Sequence, residues 1–502
     1  MSRPMKLYTC VFGITMLAGA IGCGGNKGTD SKTAADQKGP KDAAGKVVKP
    51  EAEKMFVAAL DDMNAHDKAS DWNESICTQV AKEFDDAVKE QNNKFSEASY
   101  NAGLALQRCG KDKEAREHFE RARRDNPSNH YAGAQLALYQ YKDDKNTDAV
   151  INALESVVQD AKFNNVPALV NLAMFQMQRD GASGGSTCKT FVGGAEKILG
   201  DFECAKMNLQ RALAIDDSYM PAFNQLALYY FNGAKKRVGK GSKAGGRSIA
   251  TNASLGKRAD AQQLDLAALV CAQAIRKDLD THNKTLTYAP IHNTSGLVLN
   301  ELGQVNGAVG EFKTAVKLDS RFFEAHMNLA AVNLSFRGFK TAEEEYRQAL
   351  GMHGDDYDAH LGLALALRGQ IDDTNYDKQV SGAQSEIDAC KKIDANRPDA
   401  YYNEGILTQE YKAKAGGDKT KVIATYNDAI KIFETFIGKA SDKPEYKAAV
   451  DKSQERIKDM KQTIDFLNEP AAPEPAAAGA TPPAAGGAAD KKDDKKDDKK
   501  AP

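Results

Sequence analysis

Two segments decide the fold of this chain: 296–315, GLVLNELGQVNGAVGEFKTA, and 330–349, AAVNLSFRGFKTAEEEYRQA. They start 330 − 296 = 34 residues apart and share a spacing of small and aromatic residues. In the first segment these residues are Gly296, Ala308, Phe312 and Ala315. In the second they are Ala330, Ala342, Tyr346 and Ala349. A fixed period of this length predicts helical hairpins that stack, because one hairpin cannot bury its apolar face alone.

The same spacing extends towards both ends of the chain. Near the N-terminus it is carried by Gly103, Ala115, Phe119, Ala122 and Pro127. Four later repeats contain insertions between their two helices, which lie between Ala173 and Ala205, Ala227 and Ala267, Ala364 and Ala383, and Gly405 and Ala429. The spacing resembles the tetratricopeptide (TPR) repeat, in which these residues occupy places 8, 20, 24, 27 and 32.

The resemblance covers about residues 95–443 and implies an all-α fold. We expect a right-handed superhelix (α-solenoid) of about eight TPR-type hairpins, with loop insertions and disordered termini. Small residues at places 8, 20 and 27 would let helices A and B approach closely, and the larger residue at place 24 would fill the groove towards the next repeat. The layout predicted is a signal peptide at 1–22, a flexible tether at 23–49, a degenerate helix pair at 50–94, the solenoid with its C-terminal capping helix at 95–468, and an Ala/Pro and Lys/Asp tail at 469–502.

The N-terminus has the features of a lipoprotein signal. Arg3 and Lys6 precede an apolar run, which is too short to span a membrane and ends at Ala20-Ile21-Gly22-Cys23. This ending resembles a lipobox, which implies that Cys23 is lipidated. Gly24 follows instead of the Asp that retains such proteins at the inner membrane, so the expected location is the periplasmic face of the outer membrane. The alternative is an ordinary secretory signal with a chance Cys.

Composition and motifs argue against an enzyme. The 68 basic and 70 acidic residues nearly cancel, so nothing favours nucleic acid as a partner. Residues 181–185 match G-x-S-x-G, but a nucleophile elbow needs a strand before it and a helix after it. No metal-binding spacing is present. We therefore expect no catalytic residue, no metal, no cofactor and no small-molecule substrate.

The expected ligands are proteins, bound in the groove formed by the A helices. Eight aromatic, amide and Met side chains at groove-facing places are the predicted binding residues: Tyr131, Tyr141, Asn224, Phe231, Asn293, Asn300, Met327 and Tyr402. His292, His326 and His360 recur every 34 residues at place 4. We interpret them as packing residues, with a pH-sensitive surface as the open alternative.

The insertion of the fourth repeat is basic and contains no acid between residues 233 and 259. Its cations include Lys235, Lys236, Arg237, Lys240, Lys243 and Arg247. It could dock on an acidic surface, or it could be a solvated loop. The Gly-rich insertion of the third repeat is also expected to be a loop.

Four cysteines are candidates for disulfides. Cys77 lies early in one helix B and Cys109 late in the next helix A, so the two antiparallel helix ends can meet. Cys188 and Cys204 flank the insertion of the third repeat and could close it. Spacing alone does not fix the connectivity.

The full layout resembles the tetratricopeptide lipoproteins of the Glt gliding-motility apparatus. The resemblance implies a scaffold that contacts outer-membrane and periplasmic components of an envelope-spanning machine. A pilotin-like assembly factor for a type IV pilus or secretion secretin is the alternative. An accessory to carbohydrate or peptidoglycan enzymes is a further alternative from a different class.

Overall fold

A computed structural model describes residues 42, 45–69, 71–179, 188–192, 194–241, 255–413 and 418–469. At 190–192, 236–241 and 255–260 only the backbone is described. The chain divides into two compact units, one ending at Ala400 and the other starting at Tyr401.

The first unit consists of antiparallel helix pairs in which each helix packs against the next one in the chain. The N-terminal pair and the first three repeats are formed by α1 (Pro50–Ala69), α2 (Glu74–Glu90), α3 (Ser96–Gln107), α4 (Asp112–Asp125), α5 (His130–Asp144), α6 (Thr147–Asp160), α7 (Val166–Arg179) and α8 (Asp201–Ile215). The next four are formed by α9 (Met220–Gly241), α10 (Leu255–Thr281), α11 (Ala289–Glu301), α12 (Val305–Leu318), α13 (Phe323–Ser335), α14 (Phe339–Met352), α15 (Tyr357–Gly369) and α16 (Tyr376–Ile393). The all-α prediction, with stacked helical hairpins, is confirmed.

The second unit contains the last predicted hairpin and the cap. It includes α17 (Asp399–Leu407) from Tyr401 onward, a π-helical turn (Thr408–Lys412) and α18 (Lys419–Ala440). A 3-10 turn (Pro444–Tyr446) leads into α19 (Lys447–Asn468). Helix α19 packs on α18, as its predicted place as a capping helix requires.

Two insertions differ from the expected loops. In the third repeat, strands β1 (Lys189–Val192) and β2 (Ala195–Ile198) form an antiparallel hairpin. In the fourth repeat, α9 continues to Gly241 and α10 begins at Leu255, so both ends of the insertion are helical. The loop prediction was wrong at these places, because the residues extend or pair as regular backbone.

Within a hairpin, place 8 faces the ring at place 24. A methyl group added at Gly296 would lie 2.5 Å from Cε1 of Phe312, closer than real contacts allow. The same relation holds for Gly103 against Phe119 and for Gly405 against Phe433. These rings fill space inside their own hairpin, and two of them also contact the next repeat, as predicted for place 24. The Phe119 ring lies 6.1 Å from that of Tyr139 on α5, and Phe312 belongs to one apolar cluster with Leu329 and Val332 of α13. Tyr346 also reaches the next repeat, where a methyl group added at Gly362 would lie 2.3 Å from its ring.

Several helices begin at residues that accept hydrogen bonds from the first turn. Asn73 accepts from the backbone N–H groups of Ser75 and Ile76, and Asn129, Asn146 and Asp356 act in the same way. Such caps satisfy N–H groups that have no partner inside the helix. In the part of the chain that is described, no helix is both long enough and apolar enough to cross a membrane.

We predict that Gly296→Ala destabilises the protein although Ala favours helices. The helical preference is worth about 1 kcal/mol, whereas overpacking costs about 1–3 kcal/mol. A lower melting temperature by circular dichroism is therefore expected. Gly310→Ala on α12 is the matched control, because nothing lies within 4 Å of its added methyl group, and it should raise the melting temperature. If both variants gained stability, the close contact with Phe312 would not limit the packing.

Candidate protein-binding surface

Five of the eight predicted groove residues are buried and not available to a partner. Their exposed fractions lie between 0% and 5%; they are Tyr141, Asn224, Phe231, Asn293 and Met327. This corrects the sequence-based assignment, which treated these places as an open wall. The reason is that neighbouring A helices pack directly on one another there.

Buried polar side chains bond to each other between successive A helices. Asn328 Nδ2 donates to Asn293 Oδ1 at 2.8 Å, and the Thr294 hydroxyl donates to Asn224 Oδ1 at 2.6 Å. A buried amide that lost its partner would cost about 1–3 kcal/mol. These side chains therefore hold adjacent repeats together.

The other three predicted groove residues are half-buried: Tyr131, Asn300 and Tyr402. The Tyr131 ring lies 6.1 Å from the ring of Tyr100. In the second unit, Tyr402 lies 5.1 Å from Phe436, measured between ring centres. Both tyrosines contribute to aromatic packing as well as to the surface.

The predicted basic loop is only partly described. The ammonium group of Lys235 lies 4.2 Å from the centre of the Phe231 ring on α9. Lys236, Arg237 and Lys240 lie on the helical extension of α9, where the backbone alone is described. Lys243 and Arg247 lie outside the described residues, as do Cys23 and the G-x-S-x-G sequence.

The structure joins the cysteines in the two candidate pairs. Cys77 of α2 is bonded to Cys109, just after α3, with Cα atoms 6.3 Å apart. Cys188 is bonded to Cys204 of α8, with Cα atoms 6.0 Å apart. The second bond closes the β-hairpin at its base, and the first links the N-terminal pair to the first repeat.

Cys271 and Cys390 are free and buried. Burial raises the pKa of both thiols, to about 12 for Cys390. A thiol of such high pKa is a poor nucleophile and a poor metal ligand at neutral pH. Among the described residues, no group of three or more His, Cys, Asp or Glu side chains could hold a metal ion.

Each place-4 histidine pairs with a glutamate from helix B of its own repeat. The Nδ1 to Oε2 distances are 2.7 Å for His292 and Glu311, 2.6 Å for His326 and Glu345, and 2.6 Å for His360 and Glu386. The histidines lie inside the hairpins, so they contribute to packing. Sequence reasoning missed the glutamates, although each one directly precedes the residue at place 24.

His326 contacts acceptors at both ring nitrogens. Nδ1 faces Glu345, and Nε2 lies 3.1 Å from the Ser320 carbonyl oxygen. Only the doubly protonated ring can donate in both directions. Burial lowers the pKa of His326, but the bonds to Glu345 and Ser320 and the charges of Glu345 and Asp319 raise it more. The net pKa is raised above 6.5.

A buried arginine links two repeats at the A–B turns. Arg179 donates to both carboxylate oxygens of Asp201, at 2.8 and 2.7 Å, and to Asp148 at 2.9 Å. Hydrogen bonds to Asp201 raise the pKa of the guanidinium above its ordinary range. No spacing rule pointed to Arg179, because its partners come from two different repeats.

Comparison with known proteins finds similarity to solved structures alone: no protein-family model and no curated protein matches. A thermophilic TPR protein from Thermus thermophilus is 22% identical at a TM-score of 0.35, covering 48% of this chain and 99% of that one. PilW, described as a type IV pilus biogenesis factor, is 14% identical at a TM-score of 0.35, covering 55% and 96%. A tetratricopeptide repeat protein from Parabacteroides merdae is 12% identical at a TM-score of 0.35, covering 66% and 100%.

We predict that part of the stability depends on pH through His326. Because its folded pKa is raised, the contribution is fully present below about pH 6.5, the unfolded value, and is lost as pH rises through the folded pKa. Urea denaturation at several pH values should show this loss, and His326→Tyr should remove it. His353→Asn, at an exposed histidine, is the control and should leave the pH dependence unchanged. Identical profiles for wild type and His326→Tyr would contradict the assignment.

Proposed function

We propose that this protein is an outer-membrane lipoprotein scaffold that holds together protein components of an envelope-spanning machine for gliding motility. The repeated hairpins carry the proposal. Seven successive repeats in the first unit present turns and helix faces over a long surface, and stacked repeats of this kind serve to bind proteins. The second unit adds a further hairpin and a charged helix.

The N-terminal sequence supports attachment to a membrane. The charged start, the short apolar run and Cys23 at its end fit a lipidated protein. Diacylglycerol together with an acylated amine gives stable anchoring, whereas one chain is marginal. The predicted bound of the tether at residue 49 was wrong, because Val48 is buried in the core and the backbone of Val47 and Lys49 bonds to the Gln91 side chain at the end of α2. The preceding residues would then separate the first helix from the membrane.

The described chemistry supports binding and not catalysis. The three place-4 histidines are paired with glutamates, and the free cysteines have raised pKa values. These side chains contribute to the packing of the fold. The basic residues between 233 and 259 offer an additional contact for acidic proteins or anionic envelope polymers.

Lipidation is tested by metabolic labelling with a clickable fatty acid. We predict that wild type is labelled and found in the outer-membrane fraction, and that Cys23→Ser loses both the label and the membrane location. Cys10→Ser, which changes a cysteine inside the signal, is the matched control and should behave as wild type. Labelling of Cys23→Ser would contradict the anchor.

The scaffold role is tested by crosslinking the tagged protein in living cells and identifying what co-purifies from membranes. We expect outer-membrane proteins and periplasmic motility components. A secretin with pilus subunits would instead assign the protein to pilotin-like assembly. If no protein were enriched above an untagged control, the scaffold proposal would fail.

A further inference from the structure

The residue at place 14, at or just after the end of helix A, connects each repeat to the preceding one. At place 14, a side chain usually reaches the start of the preceding helix B. The contacts are the disulfide Cys109–Cys77, the ion pairs Asp143–Arg116 (2.6 Å) and Arg179–Asp148 (2.9 Å), and the hydrogen bond Gln370–Glu343 (2.7 Å). A methyl group added at Gly233 would lie 3.4 Å from the Phe202 ring, and Leu302 packs into a core cluster. These contacts fill the boundary between each repeat and the preceding one, which we call a seam.

One seam within the described part of the first unit is open. Phe336, at place 14 directly after α13, is 61% exposed, with Val305 and Val309 of α12 opposite. Together with Val332 and Asn333 these residues line an open depression of about 600 Å³, and none of its nine lining residues is charged. Three valines and Phe336 supply the apolar part of this wall, and Gln304, Asn306 and Asn333 supply its polar part.

The rim of this depression carries positive charge. Arg337 follows Phe336 in the left-handed region at φ 64°, where the equivalent residues of two other repeats are Gly110 at 69° and Gly303 at 76°. An arginine in this conformation is strained relative to glycine. Lys340 on α14 is also exposed, and neither cation forms an ion pair with another described residue. Arg337 and Lys340 therefore place two unpaired cations beside the depression.

We propose that this patch, formed by Val305, Val309, Val332, Asn333 and Phe336 with Arg337 and Lys340 at its rim, docks an acidic protein segment that inserts one large apolar side chain. The valines and Phe336 provide the apolar contact, and the cations attract the acidic flanks. Asn333 Nδ2 already donates to the Leu329 carbonyl at 2.8 Å, and the amide oxygen can accept a hydrogen bond from the segment's backbone. This proposal rests on the scaffold function above and names the class of partner.

A protein segment fits this patch better than the other occupants. A second copy related by two-fold symmetry would place Arg337 near its own equivalent, and like charges repel. A lipid surface would need a broad exposed face, whereas here the apolar residues line a hollow between two turns. The charge and the shape therefore favour a short acidic segment with an apolar anchor.

The test uses three fluorescent peptides and the detergent-solubilised full chain. One peptide has acidic flanks around a central Phe, one replaces the Phe by Ala, and one has lysine flanks around the Phe. Fluorescence anisotropy should show at least about tenfold tighter binding of the first peptide than of the second. The lysine-flanked peptide should bind more weakly than the first, and added salt should reduce this difference.

Substitutions in the patch test whether the peptide binds there. Phe336→Gln, which installs the residue found at the same place in the next repeat, should weaken binding of the acidic Phe peptide about tenfold. Arg337→Gly should weaken it about two- to fivefold while raising the melting temperature, because the strain is relieved. Lys145→Gly removes a cation from another left-handed position at φ 53° and is the matched control. It should raise the melting temperature without changing binding.

Equal affinity for the Phe and Ala peptides, or unchanged binding by Phe336→Gln, would overturn the proposal. Liposomes that bound wild type but not Phe336→Gln, in the absence of peptide binding, would reassign the patch to membranes. If the peptides failed while crosslinking in cells still recovered envelope proteins, the scaffold function would stand and its contact surface would lie elsewhere.

Discussion

The close approach of two helices inside each hairpin is the constraint on which the rest of the structure depends. At Gly103, Gly296 and Gly405 the absence of a side chain lets a phenylalanine ring lie directly against the helix backbone. Interiors packed at this density tolerate little added volume. In these three hairpins the ring therefore fixes how closely helix B lies against helix A.

The tight stacking of the repeats limits which side chains can bind a partner. Where successive A helices touch, polar side chains must find partners within the protein, and Asn293 with Asn328 is an example. His326 and Glu345 likewise serve as buried polar partners for each other, between the two helices of one hairpin. Residues used in this way cannot also hold a ligand. The turns between helices A and B are less constrained, and both the helical extension of α9 and the exposed Phe336 lie at that edge.

The helices could be predicted from the sequence, because small residues at a fixed period mark the positions where two helices pack closely. The proximity of Cys77 and Cys109 could also be predicted, since both lie at helix ends of neighbouring hairpins. Prediction from the sequence failed for Asn293, because a place within one repeat does not reveal the angle at which the next repeat covers it. It failed for Lys189–Ile198, where two strands of four residues in Gly-rich surroundings carry little periodic signal. It also failed for residues 233–241, where glycines suggested a loop although the backbone continues as a helix.

We propose that partners contact the edge formed by the A–B turns, because Asn224, Asn293 and Met327 on the inward faces of the A helices are buried. Hydrogen exchange with mass spectrometry, comparing the purified chain with the chain isolated together with its crosslinked partners, tests this most directly. The account predicts added protection at residues 303–309 and 332–340, with the backbone around Asn224, Asn293 and Met327 equally protected in both samples. Added protection confined to the A helices around those three residues, with no change at the turns, would contradict it.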